Sequence, residues 1–447
     1  MEEVGLKREI SIPHGVLLVV GFVIGAAAFI LIGPLAGQTG PGLWISYLLA
    51  AIPALFVALL FAQMGTAFPV TGATYICVSR TVSPVLSLVM AWVLILGIFI
   101  FNMPMMAYGF AQYLSIMVPV PLLPTAIIIV VFFTVLNILG IKWMMWFQSI
   151  LTAIAIAALL VFGFGGAFHA NPAYQTPLLP LGFSAVVIAA IPAFIMYSGL
   201  NGITELAGEM KNPRRDVPLI LFISLFVLTL IYMVITYSLT GLMPWQVLGE
   251  TEGAVAVAAG TFLPAWGVYF IEIGALLAAV TTINALLAVI SRDVLALGRD
   301  LVFPSFFAKV NKRFKTPDRA IILLGAISVA GVFIGETIVR YATVAALACL
   351  LMSLVVAIAI FLLPRRMNER YKASTFKLKG AWHWLITIGG GCIFGGLIIL
   401  ASIDDPRSGF YFLLLIVTGV IYYYSRRRYL RNKGISLEDR LKKVEEI

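Results

Sequence analysis

Long apolar runs follow one another along almost the whole of this 447-residue chain. They fall at 13–36, 42–68, 83–117, 122–141, 144–167, 180–208, 217–243, 257–297, 319–336, 338–363, 382–403 and 408–425. A helix that crosses the hydrocarbon core of a bilayer needs about 20 apolar residues. Inside lipid the backbone must satisfy its own N–H and C=O groups, and a helix does so within a single run. Only 11% of the residues are charged, against about 25% in a soluble globular protein. The chain therefore reads as an all-α polytopic membrane protein with 12 transmembrane helices. The runs at 83–117 and 257–297 exceed a perpendicular span, so they are expected to tilt or to extend beyond the bilayer.

The connections between runs carry the charge. Of 30 Lys and Arg residues, all but Arg340 and Arg407 fall in segments that such a topology places on one side. Basic loops mark the cytoplasmic side, so both termini are expected there, with the protein in the plasma (inner) membrane. The net charge of +10 is then an orientation signal. It calls for no nucleic acid, because the basic residues lie in loops and no soluble domain is visible. Cys77, Cys349 and Cys392 are scattered, with no metal or disulfide spacing. The three histidines, His14, His169 and His383, stand near helix ends with no ligand partner at helical spacing. No phosphate-binding or nucleophile motif is present, so the chain does not read as an enzyme, and no cofactor is expected. The first run lacks a small-residue cleavage site and is expected to act as its own insertion signal. In the tail, Ile435 to Ile447 has helical spacing and is expected to form a short surface or solvated helix.

Two of the apolar runs are interrupted. Leu17 to Phe29 reads LLVVGFVIGAAAF, with Gly21 and Gly25 flanking Phe22, Val23 and Ile24. Glycine weakens a helix by about 1 kcal/mol relative to alanine and lets a ligand approach the backbone. Small residues at this spacing also serve close helix packing. The sixth run is broken by Ser198, Gly199, Asn201 and Gly202. The two interrupted runs stand five helices apart, and an odd number of spans inverts the direction of a repeat. Paired interruptions in corresponding halves point to a transporter binding site. This divides the chain into a first repeat at 13–167 and a second, inverted one at 180–363. Two C-terminal helices at 382–425 and a tail at 426–447 follow.

At these residues the chain resembles the amino acid-polyamine-organocation transporters, which have the leucine-transporter fold. Ile24 to Phe29 (IGAAAF) is similar to the family's IGxGIF, with Ala27 at the second glycine. Gly40–Gly42 (GPG) and Phe68–Tyr75 (FPVTGATY) resemble its second-helix region. Glu209 to Pro218 (EMKNPRRDVP) resembles the segment that closes its sixth helix, and Ser291-Arg292 to Pro304 and Phe307 the end of its eighth. Departures from the family pattern bear on the substrate. Gln63 stands where a Glu is common. Ile195 and Asn201 stand where some antiporters have an aromatic and an acidic residue. Both sixth-helix departures count against a dibasic substrate.

An amino acid brings a carboxylate and an ammonium, and burying either is costly unless it is paired or hydrogen-bonded. A broken helix offers unpaired amides at one half-helix end and carbonyls at the other. The amides of Gly25, Ala26 and Ala27 are candidates for the carboxylate. The carbonyls of Phe22, Phe194, Ile195 and Tyr197 are candidates for the ammonium, an assignment that the resemblance also implies. Ile24 and Gly199 belong to the same breaks. Asn102 in the third run is a candidate for reading the substrate side chain, or for satisfying a neighbouring helix. Tyr197, Ser198 and Asn201 are candidates at the sixth-run break itself. Together these point to a secondary transporter of small, neutral amino acids. Its alternatives are a proton-coupled or uncoupled exchanger of amino acids or polyamines, and a channel or membrane sensor.

For coupling, the resemblance implies a candidate sodium site. Its donors would be the carbonyls of Gly21, Ile24 and Ala278 with the hydroxyls of Thr281 and Thr282. Threonines in membrane helices also bond back to their own carbonyls. Some proton-driven family members carry a lysine in the fifth helix, and by resemblance that position here is Ala155. Glu272 is the strongest intramembrane acid, a candidate for proton carriage, an outer gate or a hydroxyl-satisfied group. Glu205 and Glu209 are expected to pair with basic loop residues.

Overall fold

The computed structural model describes residues 12–68, 73–140, 144–201, 212–299 and 301–437. The expected C-terminal surface helix, Gly202, Glu205 and Glu209 lie wholly or mainly outside these residues. The first apolar run forms α1 (Ile12–Val23), α2 (Ala27–Ile30) and α3 (Ile32–Thr39). Gly40, at φ 76, then turns the chain toward α4 (Leu43–Ala67). A side chain at Gly40 would strike the ring of Pro180. A short α5 (Ala73–Thr81) leads to α6 (Pro84–Gly97), whose first turn is capped by Ser83 Oγ accepting from Leu86 N–H at 3.2 Å. A π-helical turn over Ile98–Asn102 joins α6 to α7 (Met103–Met117). Pro104 has no N–H to give the Ile100 carbonyl, and that carbonyl packs instead against Gly331.

After α7 come α8 (Leu122–Leu139), α9 (Met144–Phe168) and α10 (Gly182–Phe194). A 3-10 segment, Ile195–Asn201, follows α10. Beyond it lie α11 (Pro213–Leu242), the short α12 (Trp245–Leu248) and α13 (Ala254–Ala259), and α14 (Ala265–Arg299). The chain ends with α15 (Asp318–Val332), α16 (Ile338–Arg366), α17 (Asn368–Ala373), α18 (Gly380–Asp404) and α19 (Pro406–Arg431).

Among the described residues, 10 helical segments are long and apolar enough to cross a membrane. The expected number was higher. The difference has a local cause: α1 has 12 residues because the first run breaks, and α15 has 15. The third and eighth runs are continuous at 34 and 35 residues. Burial orders the bundle. In α16, 72% of the most apolar window is inside the protein, against 17% in α8. The first is central and the second peripheral, with Ile128, Phe132 and Val135 exposed on its outer side.

Hydrogen bonds gather the basic connections onto one face. Arg366 donates to the Val82 carbonyl at 3.1 Å, and Thr316 to the Ile138 carbonyl at 2.7 Å. Arg426 reaches the carbonyls of Leu301 and Phe303. Fully buried Gln63 is a clamp at this face: its Nε2 donates to Ser374 Oγ at 2.8 Å, and its Oε1 accepts from Leu378 N–H at 2.9 Å. On the opposite face Arg340 donates to Asp405 at 2.7 Å and pairs with Glu336, which also accepts from Tyr411 at 2.9 Å.

Candidate functional site

The break in the first helix is written in its hydrogen bonds. The Gly25 amide turns to the Val23 carbonyl at 2.8 Å, two residues back. The Gly21 carbonyl thereby loses the donor a continuous helix would give it. The Ala26 amide points across to Thr282 Oγ1 of α14 at 3.4 Å, so the Phe22 carbonyl loses its regular donor too. Ala28 N–H bonds the Gly25 carbonyl at 3.1 Å, which takes the regular donor from Ile24. Regular bonding resumes with Ile30 on Ala26 and Leu31 on Ala27. Ala26 and Ala27 are buried at the start of this second half-helix. The Phe22 side chain, like that of Asn201, lies outside the described portion of the protein.

The second interruption starts where α10 ends, at Phe194. Seven residues continue as 3-10 helix, longer than the three or four common for that geometry and a mark of a hinge or strain. The segment packs against α1, α4, α11 and α16, which brings the two breaks side by side. Ser198 Oγ donates to the Ile195 carbonyl at 2.7 Å, so that candidate carbonyl already has a donor. Tyr197 is 1% exposed. Its hydroxyl donates to the Tyr47 carbonyl of α4 at 3.1 Å, and its ring stands edge-on to Tyr232 of α11 at 5.3 Å. Tyr232 in turn donates to the Met196 carbonyl at 3.0 Å, and Tyr47 to Met196 Sδ at 3.0 Å. Three aromatic hydroxyls thus hold the turn from behind, and Tyr197 braces the break through its side chain. Gly199 is only partly buried within the same turn.

Asn102 ends the π-helical turn, which packs on α15 and α16. Its Oδ1 is buried without a hydrogen-bond partner. Sequence reasoning passed over Cys349 of α16, whose thiol lies within hydrogen-bonding reach of Ser198. It also missed Tyr47 and Tyr232. The available signal was a tyrosine inside an otherwise apolar helix, where a buried hydroxyl needs a partner.

Of the candidate cation donors, Thr282 stands against the first break, where its Oγ1 meets the Ala26 amide. Thr281 Oγ1 donates to the Leu277 and Ala278 carbonyls at 2.9 and 3.1 Å, and Thr282 Oγ1 to the Ala278 carbonyl at 2.8 Å. Both hydroxyl protons are therefore directed into α14, and the Thr282 oxygen also accepts from the Ala26 amide. The Gly21 and Ile24 carbonyls, the other candidates from the first helix, lack their regular helical donors. From Thr281 runs a chain of amides. Gln148 of α9 donates to the Thr281 carbonyl at 2.8 Å, Asn284 to Gln148 Oε1 at 2.5 Å, and Asn137 of α8 to Asn284 Oδ1 at 2.9 Å. Ala155 is buried, with its Cα near Gly274 of α14. Glu272 stands apart, nearer the opposite face, 4% exposed.

Comparison with known proteins shows the family. The profile of the amino acid permease family matches residues 14–425. The branched-chain amino acid permease BcaP of Bacillus subtilis (strain 168) is 30% identical over 348 residues, 73% of this chain and 74% of that protein. The methylthioribose transporter of the same organism is 28% identical, covering 83% of this chain and 84% of its own length. The vacuolar cationic amino acid transporter 2 of Arabidopsis thaliana is 27% identical, over 83% of this chain and 64% of that protein.

Proposed function

The chain belongs to the amino acid permease family of the amino acid-polyamine-organocation superfamily, and on that premise we propose that it moves small neutral amino acids through the plasma membrane by alternating access. Permeases of this family are transporters rather than enzymes. One observation carries the substrate reading. The two helix breaks lie side by side, and the described side chains at them are uncharged. Backbone must then recognise the charged ends of the substrate. Of the amides at Gly25, Ala26 and Ala27, the first donates to the Val23 carbonyl and the second to Thr282 Oγ1, so a carboxylate would take them by displacing those acceptors, while the carbonyls freed at Phe22 and presented at Phe194 and Tyr197 favour an ammonium. The ion then needs no countercharge from the protein, so a net-neutral zwitterion fits best. A branched-chain specificity in the permease BcaP is in keeping with a neutral substrate.

Alternating access follows from the proposed inverted repeat, 13–167 against 180–363, with helices 382–425 outside it. The half-helices on either side of each break would rock against the remaining helices. The basic face would be cytoplasmic, with both termini on it, and would survive protease added to right-side-out vesicles. Sodium is the proposed coupling ion, held by Gly21, Ile24, Ala278, Thr281 and Thr282. Alanine at position 155, where a fifth-helix ammonium would require lysine, supports this choice.

The test is equilibrium binding to the detergent-solubilised protein with neutral, acidic and basic amino acids and putrescine. Neutral amino acids should bind. Putrescine lacks the carboxylate and should bind at least about 100-fold more weakly, the cost of leaving charge-assisted hydrogen bonds unmade. Tight putrescine binding would overturn the reading.

A further inference from the structure

The stretch that leads from α14 into α15 is basic and closely built. Between Pro304 and Arg319 it carries Lys309, Lys312, Arg313, Lys315 and Arg319 against one acid, Asp318. The first four are exposed, and among the described residues none of the five forms an ion pair. Asp318 is occupied by neutral donors, the Asn311 side-chain amide and the Arg319 N–H, each at 2.8 Å. Asn311 folds the middle of the stretch into a turn. Its Oδ1 accepts from the Arg313 and Phe314 amides at 2.9 and 3.2 Å. Its carbonyl accepts from the Lys315 amide at 2.9 Å, and its own amide donates to the Thr316 carbonyl at 2.8 Å. Lys312, Arg313 and Lys315 are thus gathered on one short, hydrogen-bonded turn.

Two contacts fix the depth of this turn. The Thr316 hydroxyl donates to the Ile138 carbonyl at the end of α8. α8 has 18 residues, about 27 Å of helix, just short of a hydrocarbon core of about 30 Å. The end of such a helix lies at the hydrocarbon boundary, and the turn bonded to it lies there too. Arg319, in the first turn of α15, donates to the Phe306 carbonyl at 3.1 Å, and its guanidinium stands 4.1 Å from the centre of the Phe306 ring. α8 and α15 pack together. Val135 and Leu139 of α8 are exposed, as is Ile322 of α15, three residues from Arg319 on the same helix face. In a bilayer these side chains meet acyl chains. Phe306 and Val310, 55% and 40% exposed, add apolar surface at the level of the lysines.

We propose that this turn is a docking site for an anionic phospholipid. The phosphate diester lies among Lys309, Lys312 and Arg313, and the acyl chains run over Phe306, Val310 and the outer side of α8 and α15. Unpaired cations held at the membrane surface attract an anionic headgroup, and a zwitterionic one returns little of that attraction. A flanking aromatic ring anchors at headgroup level. The turn closes the same helix, α14, that carries Thr282 against the first break, so a bound lipid holds the basic-face end of that helix. The proposal needs the chain to lie in a bilayer and does not depend on which substrate is carried.

The experiment uses the full chain purified in detergent. Native mass spectrometry measures its affinity for phosphatidylglycerol and for phosphatidylcholine with identical acyl chains. Phosphatidylglycerol should bind about tenfold or more tightly. The triple variant Lys309→Gln, Lys312→Gln and Arg313→Gln should lose that preference. A control variant, Arg428→Gln with Arg431→Gln and Lys433→Gln, removes the same charge from exposed positions at the end of α19 and just beyond it. It should keep the preference within about twofold. Inorganic phosphate at millimolar concentration should not displace the lipid. Equal binding of the two lipids to the native protein, or an equal loss in the two triple variants, would overturn the proposal. Displacement by inorganic phosphate would make this a site for a soluble anion and overturn the lipid assignment.

Discussion

Gly25 stands against Thr282: a Cβ on the glycine would lie 2.6 Å from the threonine Oγ1. The neighbouring Ala26 amide meets the same oxygen at 3.4 Å. The break in the first helix is thus seated directly on α14, and any side chain at position 25 must push the two apart. Gly25→Leu is expected to insert in the membrane but to bind neutral amino acids about 10- to 100-fold more weakly, the loss of one or more charge-assisted hydrogen bonds. Calorimetric titration of the purified variant measures this. Unchanged affinity would remove Gly25 from the binding site.

Thr281 and Thr282 should matter differently. The double variant Thr281→Ala with Thr282→Ala removes the two hydroxyls of the candidate cation set and leaves the Ala278 carbonyl. Uptake into proteoliposomes is expected to rise with an inward sodium gradient in the native protein and to lose that dependence in the variant. Equal uptake in sodium and in choline buffer at fixed pH would rule sodium out.

Tyr197→Phe tests whether the sixth-helix tyrosine reads substrate or braces the turn. The bond to the Tyr47 carbonyl is lost, at a cost of about 1 kcal/mol for a net buried hydrogen bond. A lower thermal midpoint with affinity unchanged within about twofold is expected, since a brace does not touch ligand. A large loss of affinity with no loss of stability would place the hydroxyl in the site.

The ion-pair cluster of the opposite face should give stability an acid limb. Burial by itself would raise the carboxyls of Asp405 and Glu336. Hydrogen bonds from Arg340, with others from Ser408 and Tyr411, outweigh it and hold both below the usual carboxylate range. Unfolded carboxyls titrate near 4. A carboxyl held lower in the folded state contributes stability above that value and loses it as pH falls through its folded value. The thermal midpoint should therefore decline from about pH 5 downward. Arg340→Met should lower it at neutral pH by the equivalent of about 1–2 kcal/mol, between exposed and buried pairs, and flatten the decline. Parallel curves for the two proteins would mean that the cluster contributes nothing.

Much of this architecture can be read along the chain because it depends on local properties. A run of apolar residues commits its own backbone to helix in lipid, and Gly25 with its neighbours weakens that helix where it stands. The basic connections sort by simple alternation of spans. Neighbours in space were not legible in the same way. Gly25 and Thr282 are 257 residues apart, as the sequence numbering shows, and nothing local in either stretch names the other. Tyr197 at a break looked like a ligand-reading residue. Its direction was decided by Tyr47 and Tyr232, which come from two other helices and hold its ring and hydroxyl. The same holds for Gln148, Asn284 and Asn137, unremarkable singly and joined only when α8, α9 and α14 pack. Helical periodicity specifies a face, but which partner covers that face depends on close packing of the whole bundle. In that packing each buried polar atom must find its donor or acceptor from whichever helix arrives beside it.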